Sequence, residues 1–340
     1  MPKVVSLGFA LPKYSASQEE ALEAMGWKSP LAKRIFMNAE IERRYSYIPI
    51  KAFGEGYSWQ EATQIYKSGA IELGIKACQD ALDNYNISDV GQITFISVTG
   101  YECPSLSYHI AAALGLNADV VHSNILGQGC EAAIPGLERS FDYVSRKPNK
   151  LALAVSVEIC SATWYPAPET DIEYLVSSAI FGDGATAAVV GNDDDPRHPT
   201  IIDFESYYSP DFLDLLGYEW KEGRLKVVLS ARVPEIVPPL IRQTVDILLS
   251  RNNLTREDVS HWIMHPGGKS VLDNIENELG LTKEQTYWSW ETMKRFGNMS
   301  SATIGAIVKL VQANENPTGY GIIATMGAGT AVNATLVKWE

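Results

Sequence analysis

SGAIELGIKACQDALDNYNISDVGQITFISVTG, residues Ser68 to Gly100, has a counterpart later in the chain: VPPLIRQTVDILLSRNNLTREDVSHWIMHPGG, Val237 to Gly268. Each predicts an amphipathic helix, an Asn-containing turn, a short acidic helix start, an apolar strand and a Gly loop. Asp89-Val90 matches Asp258-Val259 at an offset of 169. Downstream, Leu114-Gly115-Leu116 matches Leu279-Gly280-Leu281 at an offset of 165. HIAAALGLNADVVHSNILGQGCEAAIPGLERSFDYV then lines up with NIENELGLTKEQTYWSWETMKRFGNMSSATIGAIVKLV, and LALAVSVEIC and GYGIIATMGAG both read as buried strands. Two blocks repeated in one order at one large offset mean a duplicated α/β half, not a short-period solenoid. The polar stretch GNDDDPRHPT, Gly191 to Thr200, is the natural join, which gives halves 1–190 and 191–340. Strands alternating with helices predict a mostly parallel sheet in each half, covered by helices.

Bulk properties narrow the function. The 340 residues, 46% hydrophobic and 20% charged, suffice for a large buried core. A formal net charge of −13 argues against a general nucleic-acid binder. Lys28, Lys33, Arg34, Arg43 and Arg44 form a local basic stretch, read either as a solvated helix face or as a landing site for an anionic phosphate. No apolar run approaches the length of a membrane span, and the N-terminus lacks a signal-peptide core. It reads as a strand ending at Pro12. Cys78, Cys103, Cys130 and Cys160 have no short paired spacing, so neither a disulfide framework nor a metal site is expected, and a reducing cytoplasm is the simplest location.

A duplicated fold brings equivalent loops together at a pseudo-twofold axis, and those loops carry Cys130, His265 and Asn298. Cys130 follows Gly127 and Gly129, which permit a tight strand-to-helix turn. Amides and dipole at such a helix start favour thiolate and can stabilise an oxyanion. The plain alternative is a small buried hydrophobe. His265 ends the strand HWIM before Pro266-Gly267-Gly268, at the sheet edge where α/β proteins bind ligands. A satisfied histidine in a tight turn is the competing reading. Asn298, after Gly297, could donate to a thioester carbonyl or could simply cap the next helix. Together the three make a Cys–His–Asn constellation for acyl chemistry.

Around those residues the chain resembles the type III polyketide synthases, the chalcone synthase-like branch of the thiolase superfamily. The likeness rests on GQGCEAA at Cys130, IFGDGATAAVVG at Phe181, HPGG at His265, GNMSSA at Asn298, IERRY at Tyr45 and TMGAGTAVNATLV near the end. Phe181 lies 51 residues after Cys130, and Asn298 lies 33 after His265, both in agreement with the family. Ketoacyl synthase III enzymes also use Cys–His–Asn but carry other motifs around the histidine and asparagine.

The resemblance implies a thiolase fold of two α/β halves in αβαβα layers, and a homodimer. It implies a cytoplasmic acyltransferase that joins an acyl-CoA starter to malonyl-CoA by decarboxylative Claisen condensation on Cys130, with no tightly bound cofactor or metal. His265 and Asn298 would stabilise the enolate, and Phe181 would be the gatekeeper. Val98, Thr99, Cys160, Thr163, Val227 and Ser300 would line the acyl cavity. Cys103 would reach across the dimer interface, and Lys33 and Arg34 would contact CoA phosphates. Leu31 and Asn38 stand where further basic residues are usual. Glu131 replaces a common aromatic beside Cys130 and is expected to point away from the thiol. An acyl carrier protein as donor, with a single condensation, is the alternative function. An inactive binding subunit of the same fold is a further one.

Overall fold

The computed structural model describes residues 1–340 apart from Glu222. Among the described residues the strands are β1 (Lys3–Ala10), β2 (Tyr14–Ser17), β3 (Arg43–Ser46), β4 (Val90–Ser97), β5 (Val121–Leu126), β6 (Leu151–Glu158), β7 (Gly184–Gly191), β8 (Thr200–Tyr207), β9 (Leu216–Lys221), β10 (Arg224–Leu229), β11 (Val259–Met264), β12 (Gly319–Met326) and β13 (Val332–Trp339). The helices are α1 (Gln18–Met25), α2 (Pro30–Met37), α3 (Trp59–Leu82), α4 (Leu106–Leu114), α5 (Ala133–Arg146), α6 (Ile172–Ile180), α7 (Val233–Arg251), α8 (Lys269–Leu279), α9 (Tyr287–Phe296) and α10 (Ala302–Asn314).

The repeated stretches fold alike. Helix α3, a 3₁₀ turn at Ile87–Asp89 and β4 correspond to α7, a 3₁₀ turn at Arg256–Asp258 and β11. The matched Leu-Gly-Leu segments end α4 and α8 at Gly115 and Gly280, both left-handed at φ 72° and ψ 32°. These are the C-terminal caps that glycine supplies most cheaply. The correspondence then lapses: the next segment is strand β5 in the first half and helix α9 in the second.

The nine strands of the main sheet run β11-β12-β13-β8-β1-β7-β6-β4-β5. Its two parts meet briefly at β1 and β8, where Lys3 pairs with Thr200 and the Val4 and Ile201 amides donate to Pro199 O and Pro2 O, both at 3.0 Å. The expectation of a mostly parallel sheet is corrected. β4–β5, β4–β6 and β11–β12 are parallel, whereas β1–β7, β1–β8, β6–β7, β8–β13 and β12–β13 are antiparallel. Only a short loop, residues 327–331, joins β12 to β13, which allows a hairpin but not a parallel crossover.

Strand alternation sorts the core into layers. Leu153, Val155, Ala187 and Val189 face α3 and α4, and Trp262, Met264, Ile322 and Leu336 face α7 and α8. The opposite faces, through Val4, Val190, Ile263, Ile323 and Val337, meet a shared middle layer. Ile134, Leu137 and Val144 of α5 fill that layer with Ile304, Ile307, Val308 and Val311 of α10. The order is helix, sheet, helix, sheet, helix. Both middle helices begin beside the candidate catalytic residues.

Candidate active site

Cys130 lies in a 3₁₀ turn, Gly129–Ala132, between β5 and α5. Gly129 makes the turn possible twice over. Its φ is +71°, and a Cβ there would sit 2.9 Å from the backbone nitrogen of Ala328. The bend of the second half thereby packs on the nucleophile turn of the first.

His265 follows β11. Its amide donates to Ala324 O at 2.9 Å, and the Gly267 amide donates back to His265 O at 3.0 Å to close the HPGG turn. The imidazole is 1% exposed, and neither ring nitrogen has a hydrogen-bond partner among the described residues. Burial pulls its pKa down to about 3, so the ring is neutral near pH 7.

Asn298 lies between α9 and α10. Its backbone crosses the segment after α6 as an isolated parallel bridge with Phe181. The Asn298 amide donates to Ile180 O and the Gly182 amide donates to Asn298 O, both at 3.0 Å. The capping alternative is set aside, because α10 starts at Ala302 behind Ser301. Instead Asn298 Oδ1 accepts from the Ser300 amide at 2.8 Å, and Nδ2 lies 3.5 Å from Gly267 O in the histidine turn. The Ser300 hydroxyl and the Asn298 carboxamide lie near enough to the Cys130 thiol to favour its ionised form, although Ser300 Oγ makes no hydrogen bond among the described residues. A sulfur, a carboxamide and the turn that carries the imidazole are therefore contiguous.

The thiol does not show the expected acidity. Burial pushes its pKa up to about 12; Ser300 and Asn298 oppose the rise, while Glu158 and Glu131 add to it. Desolvation outweighs the turn's dipole because protein encloses the sulfur although the residue as a whole is half-buried. In this resting arrangement both thiol and imidazole are neutral. Glu131 turns toward β13, where Oε2 accepts from Asn333 Nδ2 at 2.9 Å, but it is 4% exposed and does not reach solvent. Burial raises its pKa to about 8, so it is mostly protonated near neutrality and repels a thiolate little.

The remaining candidates divide. Cys160, Thr163, Phe181 and Val227 line one narrow pocket, together with Tyr218. Thr99 and Thr163 line a second, walled by Tyr57, Trp59, Tyr66 and Trp164. Val98 and Ser300 are not among the described residues that line either. Ser300 is buried with φ +50°, an uncommon backbone state for a side-chain-bearing residue. Cys103 is exposed before Pro104. Lys33 and Arg34 are exposed on α2, which packs through Phe36 against Leu175 and Ala179 of α6. The basic stretch is not one solvated helix face. Arg43 and Arg44 belong to β3, and Arg44 is 2% exposed.

Glu158 escaped the sequence reading. Buried at the end of β6, it accepts from the Val98 amide (3.1 Å), the Thr99 amide (3.2 Å) and the Thr99 hydroxyl (2.9 Å), and from Ser301 of the other half. Its signal was a carboxylate closing the otherwise apolar LALAVSVE. Tyr218 also escaped, and it lines one pocket with Thr163 and Cys160. Nothing local marks Tyr218, since β9 reaches the site only through tertiary packing.

The sequence matches the family described as chalcone and stilbene synthases, with the N-terminal domain over residues 7–194 and the C-terminal domain over residues 210–339. The chain belongs to that family. It is 30% identical to the 3,5-dihydroxyphenylacetyl-CoA synthase of Streptomyces toyocaensis, over 99% of this chain and 90% of the relative. It is 28% identical to a putative chalcone synthase of Bacillus subtilis, over 100% and 99%. The crystal structure of PKS-I from the brown alga Ectocarpus siliculosus superposes with a TM-score of 0.92 at 25% identity, over 100% of this chain and 98% of that one. As a family member the chain is a type III polyketide synthase with the thiolase fold, and so a condensing acyltransferase. Among the described residues no helix is long and apolar enough to cross a membrane.

Proposed function

We propose that Cys130, His265 and Asn298 carry out decarboxylative Claisen condensation of an acyl-CoA starter with malonyl-CoA. The observation that carries this is the placement of the Asn298 carboxamide, which favours ionisation of the Cys130 thiol on one side and lies 3.5 Å from Gly267 O of the histidine turn on the other. Neutral His265, with both ring nitrogens unpartnered, accepts the thiol proton as the sulfur attacks the starter thioester. The CoA sulfur leaves with that proton, and the acyl group stays on Cys130. Malonyl-CoA then places its thioester carbonyl between the His265 ring and Asn298 Nδ2. The bond to CO₂ breaks, its electron pair becomes an enolate, and both groups donate to the developing oxyanion. The enolate carbon attacks the acyl carbonyl, and the Cys130 thiolate leaves.

Phe181 acts as the gatekeeper between the CoA approach and the acyl space, which Val98, Thr99, Cys160, Thr163, Val227 and Ser300 shape. Lys33 and Arg34 meet CoA phosphates from α2. The halves 1–190 and 191–340 are the two working units. The protein acts in the cytoplasm as a homodimer through the open edge of β5, with Cys103 near the partner.

The test is incubation with malonyl-CoA and a panel of acyl-CoAs, followed by intact-mass and product analysis. Acyl adducts on Cys130 and extended products are expected. Turnover only with an acyl carrier protein would replace CoA as the donor, and absence of any Cys130 adduct would overturn the mechanism.

A further inference from the structure

We infer that Arg44 is a positioning residue for the condensation, holding the crossing of the Phe181 and Asn298 segments on which the catalytic carboxamide is mounted. The inference rests on the roles proposed above for Asn298 and Phe181. Arg44 is on β3 of IERRY, opposite Ala16 of β2, and is 2% exposed. Among the described residues its guanidinium forms no ion pair with a carboxylate. Nη1 donates to Ser178 O and, at 3.1 Å, to Phe181 O, and Nε donates to Gln18 Oε1 at 3.2 Å. Gln18 in turn donates to Ala179 O at 2.8 Å. The last turn of α6 thus delivers its unpaired carbonyls to one cation and its helper, the arrangement a helix C-terminus favours.

The other side of the crossing leans on the same residue. Gly297 adopts φ +73°, and a Cβ there would lie 2.9 Å from Ile180 O and 3.3 Å from the Arg44 Cβ. The Arg44 stem therefore packs on the backbone just before Asn298, while its head holds the backbone at Phe181. β3 is anchored around it. The Glu42 amide donates to Lys294 O of α9 at 2.8 Å, and the Asp183 amide donates to Tyr45 O at 2.9 Å. Placing a charge here is costly: burial draws the Arg44 pKa down to about 9, with Asp183 opposing from a distance. Nη2 has no partner among the described residues. For packing alone an apolar side chain would serve better. What the planar guanidinium adds is one fixed geometry in which Nη1 holds two carbonyls three residues apart while Nε holds Gln18.

The test uses Arg44→Met and Arg44→Lys, with Asn298→Ala as the reference. Three quantities are measured: thermal unfolding, Cys130 loading from an acyl-CoA alone, and kcat and KM for malonyl-CoA decarboxylation. Arg44→Met should stay loaded to within about twofold but lose about tenfold or more in decarboxylation kcat with little change in KM, because a misplacement on the order of 1 Å is enough. Arg44→Lys, which keeps the charge and reaches one carbonyl, should recover part of that loss. A folded variant with unchanged decarboxylation overturns the inference. So does loss of loading and decarboxylation by one common factor, the mark of a merely structural role. If Arg44→Met fails to fold, the Lys variant carries the same comparison. Should Asn298→Ala itself fail to separate the two steps, the assigned catalytic roles fall instead.

Discussion

From α3 to the cap at Gly115 the first half follows the same course as the second from α7 to the cap at Gly280, but the segments that follow fold differently. Residues 121–126 form β5, an edge strand with partial exposure along its length that pairs with β4 alone among the described residues. Residues 287–296 form α9, which buries Ser289, Thr292, Met293 and Phe296. At the opposite edge of the sheet, α9 covers β11: the Met264 amide donates to Ser289 Oγ at 3.1 Å. One half keeps an unpaired strand edge next to its cysteine, and the other closes its edge with a helix that leads into Asn298. An open edge invites another strand, and a covered edge does not. The proposed nucleophile thus sits beside the open edge, and the proposed oxyanion donors sit beside the covered one.

Breaking each half at its reactive residue should give the largest and most unequal effects. Cys130→Ala is expected to abolish the acyl adduct seen by intact mass. Asn298→Ala should leave that adduct and slow malonyl-CoA decarboxylation by roughly 10²–10³, the usual cost of one oxyanion donor. Equal loss of both steps would contradict the division. Next comes the edge. Val121→Glu, at a position 48% exposed on β5, should shift sedimentation toward monomer, whereas Tyr287→Glu, 51% exposed on α9, should not. If both or neither dissociate, β5 is not the self-association edge.

Smaller effects separate the two loops. Gly297→Ala adds a close contact with Ile180 O to its left-handed backbone cost, whereas Gly127→Ala, at φ +79°, meets nothing within 4 Å. The second should cost about 1–2 kcal/mol from the backbone alone and the first more, read from denaturation midpoints. Glu131 gives a pH signature. Its folded pKa of about 8 lies above the unfolded carboxylate value, so its contribution is fully present in acid and is lost as pH rises through about 8. Glu131→Gln should flatten the fall in melting temperature between about pH 5 and 8, and identical profiles would show that Glu131 is not buried as a neutral acid.

Local rules carried much of the fold. The helix–turn–strand repeats, the glycine caps and the turn glycines beside Cys130 and Asn298 are short-range patterns, and each appears where its residues indicate. Sheet direction was not so legible, because parallel and antiparallel strands share one apolar signature and only the short 327–331 connection separates them. Nor was the contrast of β5 with α9, since matched positions in a duplicated sequence need not keep one period. Within the site, residue identity pointed to Cys130, His265 and Asn298, but their ionisation did not follow from identity. Desolvation depends on what surrounds a group, and at Cys130 it reversed the expected direction.

What the sequence determined alone is the chemistry on offer: one cysteine in a glycine turn, one histidine at a strand end and one asparagine before a helix, in a duplicated chain of a recognisable family. What the tertiary structure decided is proximity and environment, including the burial of Glu158 and Arg44 and the placement of Tyr218 beside Thr163 and Cys160. The reason is physical. Backbone preference acts over a few residues and can be read along the chain, whereas hydrogen-bond partners and desolvation come from segments more than a hundred residues apart, such as Glu158 and Ser301.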